Sequence, residues 1–457
     1  MTYAITNPAT AEVLETFEPA TDAEVAEAIG AAHAAYGEWR RTPLEERIAA
    51  VRRTAELYES RRRELAEIIT REMGKPVREA EGEISISAAI YRYYADNAAA
   101  LLADRPLDVA SGGRAVVRTA PVGALLGIMP WNYPFYQVAR FAAPNLLLGN
   151  TILLKHAPST PGSARAIAEL FAEAGLPAGA YANLFASNEQ VSTIIADPRV
   201  QGVSLTGSER AGRVVGEQAG RHLKKCVLEL GGSDPLIVLS TDDLDRAVKI
   251  AFIQRMGNVG QACNAAKRII VVDELYDAFV ERYAERVRKA AMGDPMDERT
   301  AVGPLASEAA VGDLVALVDD AVGKGAEVLV EGGAEDRPGA WMSPVVLAGI
   351  TPEMRLYREE AFGPVSSIYR VAGEDEAVRL ANDTPFGLGS VVISSDPEQA
   401  ERVADRLEAG MVYINTNGAS EPDLPFGGVK NSGIGRELGP LGILEFANLK
   451  LLRWKDR

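Results

Sequence analysis

From residue 150 onward the chain alternates short apolar runs with amphipathic stretches, and this alternation restricts its possible folds most severely. TILLK (151–155), YANLF, QGVSLTG (201–207) and KKCVLELGG (224–232) read as strands. STPGSARAIAELFAEAG (159–175) and SERAGRVVGEQAGRHL (208–223) read as helices between them, the first ended by Gly175 and Pro177. Buried strands of this length separated by helices predict a parallel sheet covered on both faces. A second series follows. The run from Asp242 to Cys263 reads as helical, RIIVVDE as a strand, LYDAFVERYAERVRKA as a helix, and strands recur at AEVLVE, SSIYRV and GSVVISS. Two α/β domains are therefore expected. Ahead of them, residues 21–104 predict helices capped at Thr21 or Asp22, and GGRAVVRTAPVGALLGIMPW (112–131) turns to strand-like composition. The closing GILEFANLKLLRW reads as one more strand.

Composition excludes several classes of function. Sixty-four acidic residues stand against 48 basic ones, a net charge of -16, which disfavours nucleic acid as a partner. Two cysteines and 3 histidines give neither a disulfide framework nor a metal-ligand set, and a reducing, cytoplasmic setting is expected. The N-terminus has no basic start followed by an apolar run, and no stretch has the length of a membrane span.

Chemistry concentrates at a few strand ends. Gly207 and Ser208 lie between a strand and a helix whose first N–H groups are unpaired; Ser208 fits a plain cap or a contact to phosphate. Lys155 ends its strand at the edge where parallel sheets bind ligands, and fits a solvated lysine or a cofactor contact. Asn132 sits in the apolar GIMPWNYPFY, where its amide must be hydrogen-bonded, either to brace the loop or to meet an oxyanion. Arg140 lies among small and apolar residues and requires an anion, from the protein or from a substrate. Glu229 in LELGG is strand-end polarity or a desolvated base. Cys226 in the same strand reads as core packing. Cys263, in GNVGQAC, is a spacer or a nucleophile; at a helix start its thiolate would gain from the helix field. A thiol, a carboxylate, an amide and a cofactor-like crevice together suggest covalent oxidation of a carbonyl.

The stretches PWNYP, LLKHAP, LTGSERAGR, LELGG, GNVGQAC, EEAFGPV, LPFGGVKNSGIGRE and the closing LEF, in this order, resemble the aldehyde dehydrogenases along essentially the whole chain. The resemblance implies a modified Rossmann cofactor domain, an α/β catalytic domain and a small β oligomerisation arm. It places the cofactor domain at 1–110 and 127–231, the catalytic domain at 232–431, the first part of the arm at 111–126, and the rest of the arm together with the C-terminus at 432–457. It implies Cys263 as nucleophile, Glu229 as base and Asn132 as oxyanion donor. Trp131, Lys155, Ser159, Gly207, Ser208, Glu360 and Phe362 would then line the cofactor cleft, with no metal. Within the family the chain is most similar to the short bacterial succinate-semialdehyde dehydrogenases, which implies Arg140 and Ser420 at the substrate carboxylate. Arg255 is a further candidate anion contact. Proline stands at position 158, where relatives that prefer NAD carry a glutamate, so NADP is expected to serve at least as well as NAD. A homodimer or homotetramer is implied. Rival readings are an aldehyde dehydrogenase for other aldehydes, an acylating coenzyme A-dependent relative, and a non-enzymatic binding protein on the same fold. Glu229 argues against the second, and retention of both Cys263 and Glu229 against the third.

Overall fold

The computed structural model describes residues 2–455. Four helices, Asp22–Trp39, Leu44–Ser60, Arg62–Met73 and Val77–Leu101, form the N-terminal layer. Thr21 caps the first through a reciprocal box with Glu24, each side chain bonding the other's backbone N–H. Gly74 ends the third in the left-handed conformation at φ 79°, where the Pro304 carbonyl lies 2.8 Å from where a Cβ would sit.

The first sheet runs, in spatial order, Lys225–Glu229, Val200–Thr206, Ala124–Met129, Thr151–His156 and Tyr181–Asn183, all parallel. The chain enters at the central strand Ala124–Met129, winds outward in one direction, then returns to wind outward in the other. The order therefore reverses between Ala124–Met129 and Val200–Thr206, and the crevice at the carboxyl ends of these two strands is where such sheets bind ligands. All six residues of Thr151–His156 are buried, as a strand covered by helices on both faces requires.

The second sheet has seven strands, with Pro235–Val238 and Arg268–Val272 near its centre. Only the edge strand Glu327–Val330 is antiparallel to its neighbour. A three-stranded antiparallel sheet pairs Ala447–Trp454 with Arg114–Pro121, and the latter with Arg105–Leu107.

Two sequence expectations give way. The run 242–263 is not one helix: it stops at Met256, after which Asn258, Val259 and Gly260 are all left-handed at φ 52°, 56° and 75°. The segment GILEFANLKLLRW splits into a helix, Gly439–Glu445, and the strand Ala447–Trp454, because a hydrophobic run does not by itself distinguish the two. Within 432–457, Gly433–Ile434 pairs antiparallel with Lys225–Glu229 at the edge of the first sheet. Among the described residues no helix is long and apolar enough to cross a membrane.

Candidate active site

A cleft of about 270 Å³ opens at the crevice where the first sheet reverses, between the two large sheets. Trp131 and Asn132 reach it from the turn after Ala124–Met129, Gly207 and Ser208 from the turn after Val200–Thr206, and Glu229 from the end of its strand. Cys263, Glu360 and Phe362 close it from the second domain. The rings of Trp131 and Phe362 meet edge to face across the opening at 5.7 Å.

Cys263 stands on a turn beyond the left-handed stretch, so the helix field considered for its thiolate is missing. Close backbone approach defines this turn. A Cβ on Gly260 would strike the Gly363 carbonyl, and one on Gly232, the second glycine of LELGG, would strike the carbonyl of Cys263 itself. Burial pushes the thiol up to about 11, against the pull of the Lys267 and Arg140 charges. Cys226, half-buried against the sheet core and pushed up to about 12 by burial, lies outside the cleft.

Asn132 is 4 % exposed, and its side-chain amide and its carbonyl are both hydrogen-bonded. Its Nδ2 donates to the Gln261 carbonyl at 2.9 Å, and its Oδ1 accepts from Gln137 Nε2 at 3.0 Å. Its own carbonyl accepts from Lys75 Nζ at 2.8 Å and from Asn258 Nδ2 at 2.9 Å. The Gln261 carbonyl can only accept, which fixes the direction of the whole chain of amides and leaves the second Nδ2 hydrogen for a ligand. Lys75 is itself buried against Glu83, whose other oxygen accepts from the N–H groups of Phe135 and Tyr136. Two N-terminal helix ends thus hold the PWNYP turn in place. Neither Gln137 nor Lys75 stands out in the sequence; a buried polar residue beside a buried amide is a signal that only the fold makes visible.

Glu229 is 1 % exposed, and neither carboxylate oxygen has a protein partner. Desolvation first, then the nearby Glu437 carboxylate, raises its pKa well above the ordinary carboxylate value. Arg140 is buried with Glu437, its Nε 2.8 Å from Glu437 Oε2, while Nη2 donates to Thr206 Oγ1 at 3.3 Å. Of the two anions the sequence left open for Arg140, protein or substrate, a protein carboxylate is present beside it. The Nε–H points off the line to Oε2, so the contact is one of charge more than an aligned hydrogen bond. The guanidinium stacks over Tyr136 at 4.8 Å and Phe426 at 4.3 Å. The Tyr136 hydroxyl, without an aligned partner, lies against both Ser420 and Arg140.

Arg255 is the clearest correction. It is fully buried and donates to the backbone carbonyls of Val365, Ala361, Gly260 and Gly363, stapling the Cys263 loop to the loop of Glu360. Four of its five N–H donors are engaged this way, and the side chain is not part of the cleft lining.

Lys155 and Ser159 lie outside the cleft wall, at and just beyond the end of Thr151–His156. Lys155 is 7 % exposed and burial lowers its pKa; among the described residues it has no anionic partner. No carboxylate stands in the turn Ala157–Thr160 that follows it. Ser208 caps the helix Glu209–Arg221 by accepting from the Ala211 N–H, which leaves its hydroxyl hydrogen free beside the cleft. An unpartnered lysine, a helix start and facing aromatic rings at the sheet's crevice fit a dinucleotide carrying an extra phosphate. Among the described residues no group of three His, Cys, Asp or Glu side chains is placed to hold a metal.

Known proteins resemble this chain along nearly its whole length. A succinate-semialdehyde dehydrogenase [NADP(+)] of Deinococcus radiodurans is 54 % identical over 451 residues, covering 99 % of this chain and 94 % of that protein. One from Mycobacterium ulcerans is 47 % identical, covering 98 % and 99 %. The solved succinic semialdehyde dehydrogenase of Streptococcus pyogenes, in complex with NADP+, superposes with a TM-score of 0.97 at 44 % identity, covering 99 % of this chain and 100 % of that one. Residues 1–452 match the aldehyde dehydrogenase family, and the chain belongs to it.

Proposed function

We propose that the protein oxidises succinate semialdehyde to succinate with NADP+ as the preferred acceptor and NAD+ as a second one. The observation that carries the substrate is the grouping of Arg140, the Tyr136 hydroxyl and Ser420 beside the cleft of Cys263, a set suited to a carboxylate at the far end of a short aldehyde. Relatives of about half identity carry that activity in their names. In this reading the Cys263 thiolate adds to the aldehyde carbon, and the oxyanion is met by Asn132 Nδ2 and the Cys263 N–H. The dinucleotide supplies a hydride acceptor. Loss of the hydride leaves a thioester on Cys263, and Glu229 takes a proton from the water that cleaves it, releasing the acid and the thiol. Lys155, Ser159, Ser208 and Glu360, with the Trp131 and Phe362 rings, would hold the dinucleotide. The exposed edge of Ala447–Trp454, carrying Leu449 and Leu451 at 46 % and 61 % exposure, would pair subunits into a homodimer or homotetramer.

The ion pair with Glu437 decides which variant tests the substrate. Arg140→Ala would leave a buried carboxylate unpaired beside Glu229 and is expected to slow every aldehyde. Ser420→Ala and Tyr136→Phe leave that pair intact. Each should lower kcat/KM for succinate semialdehyde roughly 10- to 100-fold, from the ~1.5–3 kcal/mol of a hydrogen bond to a charged group, and leave butanal nearly unchanged. Equal losses on both substrates in these two variants would overturn the carboxylate pocket. For the cofactor, kcat/KM with NADP+ should equal or exceed that with NAD+. A preference for NAD+ of about a hundredfold, roughly 2.7 kcal/mol, would refute the reading of Lys155 and Ser159.

A further inference from the structure

A cysteine nucleophile needs something to favour its thiolate, and this one has no helix start behind it. The charged groups that face it are the Lys267 and Arg140 cations and the Glu360 and Asp234 carboxylates, with the phenol of Tyr133 alongside. Arg140 is already paired with Glu437. Lys267 is different. Only 3 % exposed, it directs its ammonium to the Ala262 carbonyl at 2.6 Å, the Cys263 carbonyl at 2.5 Å and Glu360 Oε1 at 2.8 Å. Three acceptors match three N–H donors, so the ammonium is fixed in position. A neutral amide would brace two carbonyls at much lower desolvation cost than a buried charge.

We propose that Lys267 is the positioning residue that sets the reactivity of Cys263, with Glu360 as its counterweight. The ammonium is locked to the backbone of the nucleophile itself and favours the thiolate, while the Glu360 carboxylate paired with it cancels part of that field. Glu360 is in turn held by the Gly232 N–H at 3.2 Å, so the whole arrangement is built across the LELGG turn. Burial opposes ionisation of the thiol, and among the charges acting on it Lys267 gives the largest favourable contribution. The inference rests on Cys263 being the nucleophile; turnover by a Cys263→Ala enzyme would defeat that reading whatever the experiment below returns.

The test is alkylation of the full-length protein, without cofactor, by iodoacetamide between about pH 7 and 12, so that the midpoint near 11 is spanned, with peptide mass mapping to separate Cys263 from Cys226. Burial holds Asp234 up to about 7, so it is ionised over most of this range and does not blur the profile. Lys267→Met keeps the length and removes the charge. The midpoint of its alkylation profile should move to higher pH, and each whole pH step upward slows alkylation at pH 8 about tenfold. The plateau rate at high pH should stay within about twofold of the parent. Glu360→Gln should move the midpoint down and speed alkylation at pH 8 about threefold or more, and Lys267→Arg should restore the parent profile. A purely structural role would change the plateau and leave the midpoint alone. An unchanged midpoint in Lys267→Met, or one in Glu360→Gln that stays or rises, overturns the proposal. Glu360→Gln decides the matter alone if Lys267→Met does not fold.

Discussion

Replacing Cys263 with alanine is expected to abolish aldehyde oxidation while NADP+ binding stays near normal. The side of the cleft proposed to hold the cofactor comes largely from the first sheet, at the Trp131 turn and the Gly207–Ser208 turn, with Lys155 just beyond its wall, and none of these groups depends on the sulfur. The sulfur itself has no substitute. The other thiol, Cys226, lies outside the cleft, half-buried and pushed up to about 12, and is not placed to act in its stead. Losing a covalent nucleophile costs on the order of 10⁴-fold or more in kcat. A steady-state assay at high enzyme concentration, with cofactor affinity read by fluorescence, measures both halves. Turnover above a few per cent of the parent would show that Cys263 is a spacer. Cys226→Ala should mainly lower thermal stability.

Changing Glu229 to glutamine should stop the cycle at a different point. The carboxylate is buried without a hydrogen-bond partner and shares its surroundings with Glu437, so the proton is retained to unusually high pH. A raised pKa makes an acid group a better base once it ionises, and only the ionised form can take a proton from water. Deacylation in the parent enzyme should therefore speed up as pH rises through this group's pKa. Glutamine keeps the shape and cannot accept the proton. The variant should form the thioester, release one equivalent of reduced cofactor per site in a burst, and then turn over about 10²- to 10⁴-fold more slowly, without that pH dependence. Rapid-quench absorbance and intact mass would detect the burst and the acyl group. Normal turnover with no acyl enzyme would remove Glu229 from the role of base.

The Arg140–Glu437 pair connects these two results to substrate choice. The guanidinium lowers the pKa of Glu229 and Glu437 raises it, so the residues proposed to read the substrate carboxylate also bear on the base. Any substitution at Arg140 or Glu437 should consequently alter the pH profile of deacylation along with specificity. Ser420 and Tyr136 allow the two effects to be separated, because neither carries a charge.

The sequence by itself determined the strand–helix alternation and the two α/β units, and it singled out the candidate reacting groups. Alternation is legible because burial of a parallel strand demands a continuous apolar run, which local composition records. Cys263, Glu229 and Asn132 are visible because each breaks an apolar or small-residue background that would otherwise reject it. Only the tertiary structure decided the rest. Arg140 reads as needing an anion, but the choice between substrate and protein belongs to Glu437, 297 positions away along the chain and adjacent only once the sheet edge forms. Arg255 reads as a candidate anion contact and is instead bound to backbone carbonyls, which no sequence displays as acceptors. The helix expected to carry Cys263 ends seven residues early, at Met256, because three left-handed residues and an approaching Gly363 carbonyl turn the chain there. Lys267 and Gln137 carry no motif at all. A hydrogen bond or a buried charge is a relation between two places in the chain, and folding alone brings those places together.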